Sequence, residues 1–183
     1  MIKIFGGPMF AGKTTALLDH VGGLAPGSFL VVKPSMDIRY GKDVVASHDG
    51  QKIQAVNVSA KAPRLNGELK HGIRTVVIDE LNFFDVKGVQ RLIQDLVDKD
   101  RDVVGAGLLY DFMKQPFGAT LPVSQIADEF VELFATCDNC GADANHSYRK
   151  VAASDQVLVG ASESYGACCE SCWESLNTAA TRE

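Results

Sequence analysis

Ile2-Lys3-Ile4-Phe5, followed by Gly6-Gly7-Pro8-Met9-Phe10-Ala11-Gly12-Lys13-Thr14-Thr15, is the stretch from which the fold is read. Four residues of strand character run into a glycine-rich loop. Ala16, Leu17, Leu18 and Val21 then recur at helical spacing until Gly22-Gly23 ends the run. Gly7 to Thr14 fits G-x-x-x-x-G-K-[ST] without a mismatch. A strand before and a helix after are the context in which this spacing cradles phosphate. The glycines let backbone N–H groups face phosphate oxygens, and the helix N-terminus adds a favourable dipole. In that geometry Lys13 reaches the β- and γ-phosphates, and the Thr14 hydroxyl sits on Mg²⁺.

Working outward, Phe29-Leu30-Val31-Val32, Thr75-Val76-Val77-Ile78 and Asp102-Val103-Val104-Gly105-Ala106 read as further apolar strands. Val86 to Val97 is helical, with Val89, Leu92, Ile93 and Leu96 on one face. Leu121 to Asp128 reads as a short helix and Phe130 to Ala135 as a fifth strand. Ser35 to about Ala60 is polar and poorly periodic, and is expected to be a long mobile loop with a short strand near Val56-Val58. Continuous apolar strands separated by helices imply an α/β fold whose parallel sheet is covered on both faces. Val76-Val77-Ile78-Asp79 has the form of the apolar strand ending in Asp that accompanies a phosphate loop, so Asp79 is the expected metal-site carboxylate. Glu80 follows it. Side-chain alternation along a strand is expected to turn Asp79 and Glu80 different ways, one to the metal and one to an acceptor hydroxyl.

The chain has 183 residues, 46% of them hydrophobic and 22% charged, with a formal net charge of −5. That length suits one domain with at most a small appendage, and the composition excludes disorder. No stretch approaches the roughly 20 apolar residues of a spanning helix. The start runs directly into the glycine loop and leaves no room for a signal peptide, so a cytoplasmic protein is expected. Lysines and arginines are scattered, which argues against a nucleic acid polymer as partner. All five cysteines lie in the last quarter, at 137, 140, 168, 169 and 172. Cys137-x-x-Cys140 and Cys169-x-x-Cys172, separated by 28 intervening residues, have the spacing of a four-thiolate structural zinc ribbon, with Cys168 as the spare thiol. The texture changes at Cys137, so a boundary is expected there, giving residues 1–136 and 137–183. Phe83, Phe84, Phe112, Phe117 and Tyr165 fit either a flat nucleobase or ordinary core packing. The four histidines show no metal spacing.

These motifs together resemble the cytosolic-type (type II) thymidine kinases. Gly7-Pro8-Met9-Phe10-Ala11-Gly12-Lys13-Thr14 resembles that family's GPMFSGK[ST] loop, and Asp37-Ile38-Arg39-Tyr40 its D-x-R-Y segment. Ser47-His48-Asp49-Gly50, Ile78-Asp79-Glu80-Leu81-Asn82-Phe83-Phe84, Gly107-Leu108-Leu109-Tyr110-Asp111-Phe112 and Pro116-Phe117-Gly118 match further segments in the same order. The zinc knuckles and the stretch from Val159-Gly160 to Tyr165 complete a likeness spanning Ile2 to Trp173. The resemblance implies a P-loop (RecA-like) kinase core with a small zinc-ribbon lasso. The implied reaction moves the γ-phosphate of ATP to the 5′-hydroxyl of thymidine, with Mg²⁺ in the reaction and Zn²⁺ in the structure.

It further implies Glu80 as general base. Gly7 to Thr15, Arg39 and Asp79 are the implied ATP and Mg²⁺ residues. Met9, Asp37, Phe83, Leu108, Phe112, Phe117, Ser147, Leu158, Val159, Gly160 and Tyr165 are implied on the nucleoside side. Main-chain groups of Leu158 to Gly160 would read the pyrimidine. Metal loss is therefore expected to abolish nucleoside binding and leave the phosphate loop intact. A homotetramer inhibited by dTTP is likewise implied. The sequence departs from the family pattern at Leu81, Asn82, Leu109-Tyr110, Asn145-His146 and Cys168. The alternatives are deoxyuridine or a modified pyrimidine as substrate, a P-loop ATPase using water, or a nucleotide-dependent zinc-ribbon binding module.

Overall fold

From the amino end, β1 (Ile2–Gly7) leads through the glycine loop into α1 (Lys13–Gly22) and then β2 (Phe29–Pro34). These coordinates come from a computed structural model that describes residues 1–38, 41, 43–47, 50–151 and 164–180. Next come β3 (Val44–Ala46), β4 (Lys52–Gln54), β5 (Val56–Val58), β6 (Thr75–Ile78), α2 (Val86–Val97) and β7 (Asp102–Leu108). The chain ends with α3 (Thr120–Ser124), β8 (Glu129–Glu132), β9 (Ala135–Thr136), β10 (Asp143–Ala144), β11 (His146–Arg149), β12 (Tyr165–Cys168) and α4 (Glu170–Ala180).

Six strands form one sheet in the order β5-β2-β6-β7-β1-β8, and every pairing is parallel. Its strands are apolar throughout because both faces are covered. Ile4, Val32, Val76, Ile78 and Val103 face α2 and α3, while Phe5, Val31, Val77, Val104 and Ala106 face α1. The expected stripe of α2 is buried through Val89, Leu92, Ile93 and Leu96. At about 1.5–3 kcal/mol for each fully buried aliphatic side chain, this face holds the helix on the sheet. The Asp85 carboxylate caps the helix by accepting from the Gly88 N–H at 2.8 Å, a contact of the kind worth about 1 kcal/mol.

Three local expectations need correction. The segment expected as a long loop contains the β3–β4 hairpin, paired from Val44↔Gln54 to Ala46↔Lys52. Lys33, only 1% exposed, ties this segment down by donating to the Gly41 and Val44 carbonyls at 2.7 and 2.9 Å. Helix α3 stops at Ser124 rather than Asp128. The Asp128 carboxylate and N–H instead pair with the N–H and carbonyl of Ile2. The expected fifth strand is two strands. β8 lies beside β1, the chain leaves the sheet after Leu133, and β9 pairs antiparallel with β10. Short antiparallel pairs β9–β10 and β11–β12 make a small layer around Ala135, Cys137, Ala144, Ala167 and Cys168.

Leu81, where the resemblance anticipates glycine, is fully buried. Its space comes from Gly105 across the sheet: a Cβ there would lie 2.6 Å from Leu81 Cδ1 and 3.0 Å from Ile4 Cδ1. Gly105→Ala is expected to cost about 1–3 kcal/mol by overpacking. In urea unfolding, Gly105→Ala combined with Leu81→Ala should be less destabilised than the sum of the two single variants.

Candidate active site and metal centre

Parallel pairing places the carboxyl ends of all the central strands on one edge. Gly7 lies opposite Leu108, Ile78 opposite Gly105, and Val32 opposite Ile78. The glycine loop, Asp37, the Asp79-Glu80 pair and the Leu108–Phe117 turn therefore emerge along the same rim, where open α/β sheets bind ligands.

The glycine loop has the conformation its sequence requires. Gly12 precedes α1 with φ 73°, and Phe10 also has positive φ, at 64°. No side chain caps α1, in contrast to α2. Its first-turn N–H groups therefore face the loop, as phosphate oxygens need. The Lys13 ammonium donates to the Pro8 carbonyl across the loop.

Asp79 is 6% exposed and accepts the Glu80 N–H at 3.0 Å, while its own N–H bonds the Val32 carbonyl. Strand alternation does not relate the two carboxylates, contrary to the expectation. β6 ends at Ile78, and Glu80 takes left-handed backbone angles, φ 54° and ψ 47°, before the 3₁₀ turn Leu81–Phe83. Such angles cost a non-glycine residue of order 1 kcal/mol, and they turn Glu80 out of the strand direction. A buried carboxylate at this strand end and the Thr14 hydroxyl in the first turn of α1, on the same edge of the sheet, are oxygen donors of the kind that suits Mg²⁺.

Asn82, the departure from the usual glutamine, is 2% exposed, and its side-chain oxygen accepts the Leu108 N–H at 2.9 Å. Its carbonyl also explains Pro116-Phe117-Gly118. Gly118 has φ 57°, and a Cβ there would lie 1.8 Å from the Asn82 oxygen, so only glycine fits. Between these points the Asp111 carboxylate, 5% exposed, accepts the Met113 and Gln115 N–H groups at 2.8 and 2.9 Å and closes the turn. Phe83 and Phe117 meet edge to face at 5.7 Å, whereas Phe84 belongs to the core.

The small layer meets this rim. The Ser147 hydroxyl accepts the Met9 N–H at 2.9 Å, and Phe10 and Ala11 pack on the apolar cluster around Cys137 and Cys168. Tyr165 is 8% exposed, and its hydroxyl accepts from the Arg149 guanidinium at 2.8 Å. Arg149 also lies 3.8 Å from the centre of the Phe112 ring. Sequence reading missed Arg149, because only the β11–β12 register, which pairs it with Tyr165, brings it there. It also missed Lys33 and Asp111, whose roles are contacts with backbone. His146 is half-buried and hydrogen-bonded to Glu170. Arg39, Leu158, Val159 and Gly160 lie outside the described residues.

The Sγ atoms of Cys137, Cys140, Cys169 and Cys172 all lie within 4.8 Å of one another, and those of Cys140 and Cys169 are 3.6 Å apart. A tetrahedral zinc site with bonds of about 2.3 Å needs sulfur–sulfur edges of roughly 3.8 Å, so the four residues fit Zn²⁺. Cys168 is outside the group and fully buried, and burial pushes its thiol up to about 11. The Cys169 backbone N–H draws the Cys137 thiol down to about 6. Hydrogen bonds shared with Cys169 and Cys140 push Cys172 up to about 12. Protons thus divide unevenly over crowded sulfurs, a conflict that a divalent cation removes by holding all four as thiolates.

A phosphate loop and a strand-end carboxylate pair on one α/β sheet, with a four-cysteine cluster suited to zinc in the adjoining small layer, define a P-loop nucleotide-dependent phosphotransferase. The sequence profile described as thymidine kinase matches residues 1–173. The thymidine kinase of Pseudothermotoga lettingae is 35% identical over 178 residues, 96% of this chain and 95% of the relative. That of Porphyromonas gingivalis strain W83 is 36% identical over 97% of this chain and 86% of its own length. A third, from Mycoplasmoides gallisepticum, is 34% identical over 92% and 78%. The chain belongs to the thymidine kinase family.

The contacts of Met9, Phe10 and Ala11 with the small layer change the expectation for metal loss. Chelation should weaken ATP binding as well as abolish nucleoside binding, and metal should be released as pH falls, because protons compete for the thiolates. Calorimetry with ATP and thymidine before and after chelation, with zinc assayed against pH, measures both effects.

Proposed function

We propose that this chain transfers the γ-phosphate of ATP to the 5′-hydroxyl of thymidine, giving dTMP and ADP. The observation that carries this reading is the shared rim. There the uncapped start of α1 and the Asp79-Glu80 pair emerge from the parallel strands β1 and β6 on either side of β7, in a chain of the thymidine kinase family. The glycine loop, Gly7 to Thr15, holds the triphosphate, and Lys13 moves from the Pro8 carbonyl to its β- and γ-oxygens. Thr14 and Asp79 would hold Mg²⁺, which when bound neutralises phosphate charge. Glu80 accepts the 5′-hydroxyl proton while the nucleoside oxygen bonds the γ-phosphorus and the bond to ADP breaks. Arg39 is assigned to the transferred phosphate and Asp37 to the nucleoside side.

The base is placed against Met9, Phe83, Leu108, Phe112, Phe117 and Tyr165, and read by the main chain of Leu158 to Gly160. The edge-to-face pair Phe83–Phe117 and the fixed Phe112 and Tyr165 rings support an aromatic-walled slot. Ser147 serves this slot through its hold on Met9. Residues 1–136 carry the phosphate chemistry in this scheme, and 137–183 the zinc-anchored nucleoside contacts. A homotetramer, feedback inhibition by dTTP and a cytoplasmic location belong to this same proposed reading. Among the described residues no helix is long and apolar enough to cross a membrane.

The test is transfer of labelled γ-phosphate from ATP to a panel of nucleosides. Labelled dTMP is expected, with kcat lowered about 10²–10⁴-fold in Glu80→Gln and thymidine affinity nearly unchanged. Label on deoxyuridine or another nucleoside would move the specificity. Release of free phosphate alone would favour an ATPase, and folded, zinc-loaded protein without turnover a binding module.

A further inference from the structure

Trp173, Lys114 and Glu170 take no part in the chemistry above, yet they meet at the back of the nucleoside slot. Trp173 follows the metal ligand Cys172 in the first turns of α4. Its indole N–H donates to the Phe112 carbonyl at 3.2 Å, joining residues 61 apart in sequence. The Lys114 ammonium lies 4.0 Å from the indole centre and pairs with the Glu170 carboxylate. The other Glu170 oxygen is 2.5 Å from His146 Nε2. The turn from Asp111 to Phe117 is therefore gripped at two points, by the helix that also bears Cys172. On its other side, the Phe112 ring is covered by Arg149 at 3.8 Å.

Simple packing of a helix on a loop would need an apolar ring and nothing more. Here a directional N–H, a cation over the indole face and a carboxylate bridge converge on the two residues flanking Met113. Cation–π and charge-assisted contacts of this kind restrict orientation as well as distance.

We propose that Trp173 is a positioning residue for nucleoside binding. Its indole sets the height of the Phe112 backbone, and Lys114 and Glu170 hold the indole in place. Through them the metal centre supports the wall of the base slot directly, independently of the segment between β11 and β12. The proposal rests on the reading of Phe112 as a base-slot residue.

Trp173 is the single tryptophan of the chain, so emission excited beyond tyrosine absorption reports it alone. The test is titration of thymidine into the zinc-loaded full-length protein, followed by this emission and, in parallel, by calorimetry. A saturable emission change with the calorimetric Kd is expected. Trp173→Phe keeps a ring beneath Lys114 and loses the donor. It should raise thymidine KM about three- to tenfold, with ATP KM and zinc content unchanged. Glu170→Gln, which frees Lys114, should raise thymidine Kd and shrink the emission change of the intact indole.

Constant emission while calorimetry registers thymidine binding overturns the proposal, as does an unaltered thymidine KM in Trp173→Phe. Equal losses of thymidine and ATP affinity would likewise reduce the contact to general packing. Should Trp173→Phe lose its zinc, the emission titrations of the wild type and Glu170→Gln decide alone. Absence of calorimetric thymidine binding to the wild type overturns the substrate reading first, and is distinguishable because calorimetry does not depend on Trp173.

Discussion

Four cysteine sulfurs within 4.8 Å of one another are the constraint on which the small layer at the rim of the sheet depends. Among the described residues, the layer that carries them has two two-stranded sheets, β9–β10 and β11–β12, and an apolar cluster made largely of alanine and cysteine. So little buried area cannot hold strands in register by itself, since an isolated two-stranded sheet is marginal in water. A metal bound by all four sulfurs would supply the missing cross-link. What it secures reaches well beyond the cysteines: Ser147 under Met9, Arg149 over Phe112 and Trp173 at the Phe112 carbonyl all issue from this layer.

The larger sheet works by a different principle. Its strands need no external cross-link, because α1 and α2 bury both faces. The conformational cost of the arrangement is borne at a few points on the rim. Glu80 accepts left-handed backbone angles, and Gly118 must approach the Asn82 carbonyl so closely that no side chain is possible. Asp79 is buried beside its own chain's N–H. Strain and buried charge at the ends of rigid strands are what a site for phosphoryl transfer requires, since that chemistry is mostly positioning and charge neutralisation.

Departures from the family pattern divide into two kinds when seen in place. Leu81 is a core substitution: it fills volume that Gly105 leaves open, and the pair conserves packing. Asn82 keeps a polar task, accepting the Leu108 N–H and so fixing the end of β7. Leu109 is buried against Gly6, whereas Tyr110 is exposed opposite Pro116 in the turn. His146 joins the Glu170 bridge. None of these alters the phosphate loop or the two strand-end carboxylates.

Much of this was legible in the sequence, for reasons of local physics. The phosphate loop, the apolar strands, the α2 stripe and the paired CxxC knuckles are each specified by residues within a few positions of one another. Their period, glycine content or ligand spacing suffices to read them. The β3–β4 hairpin was not legible, because strands of three residues are too short to show a period, even though Val45 and Ala46 are buried. Nor was the split of the last strand at Leu133, which turns on β9 finding β10. Lys33, Arg149 and Trp173 carry no local signature at all. Their partners stand 8 to 61 residues away, and only folding brings those backbone carbonyls and rings within bonding distance. The sequence by itself determined which chemical groups exist and the local shapes that present them. The tertiary structure decided which of those groups touch, because hydrogen bonds and ring contacts fall off within a few ångströms and so depend on strand order and register rather than on distance along the chain.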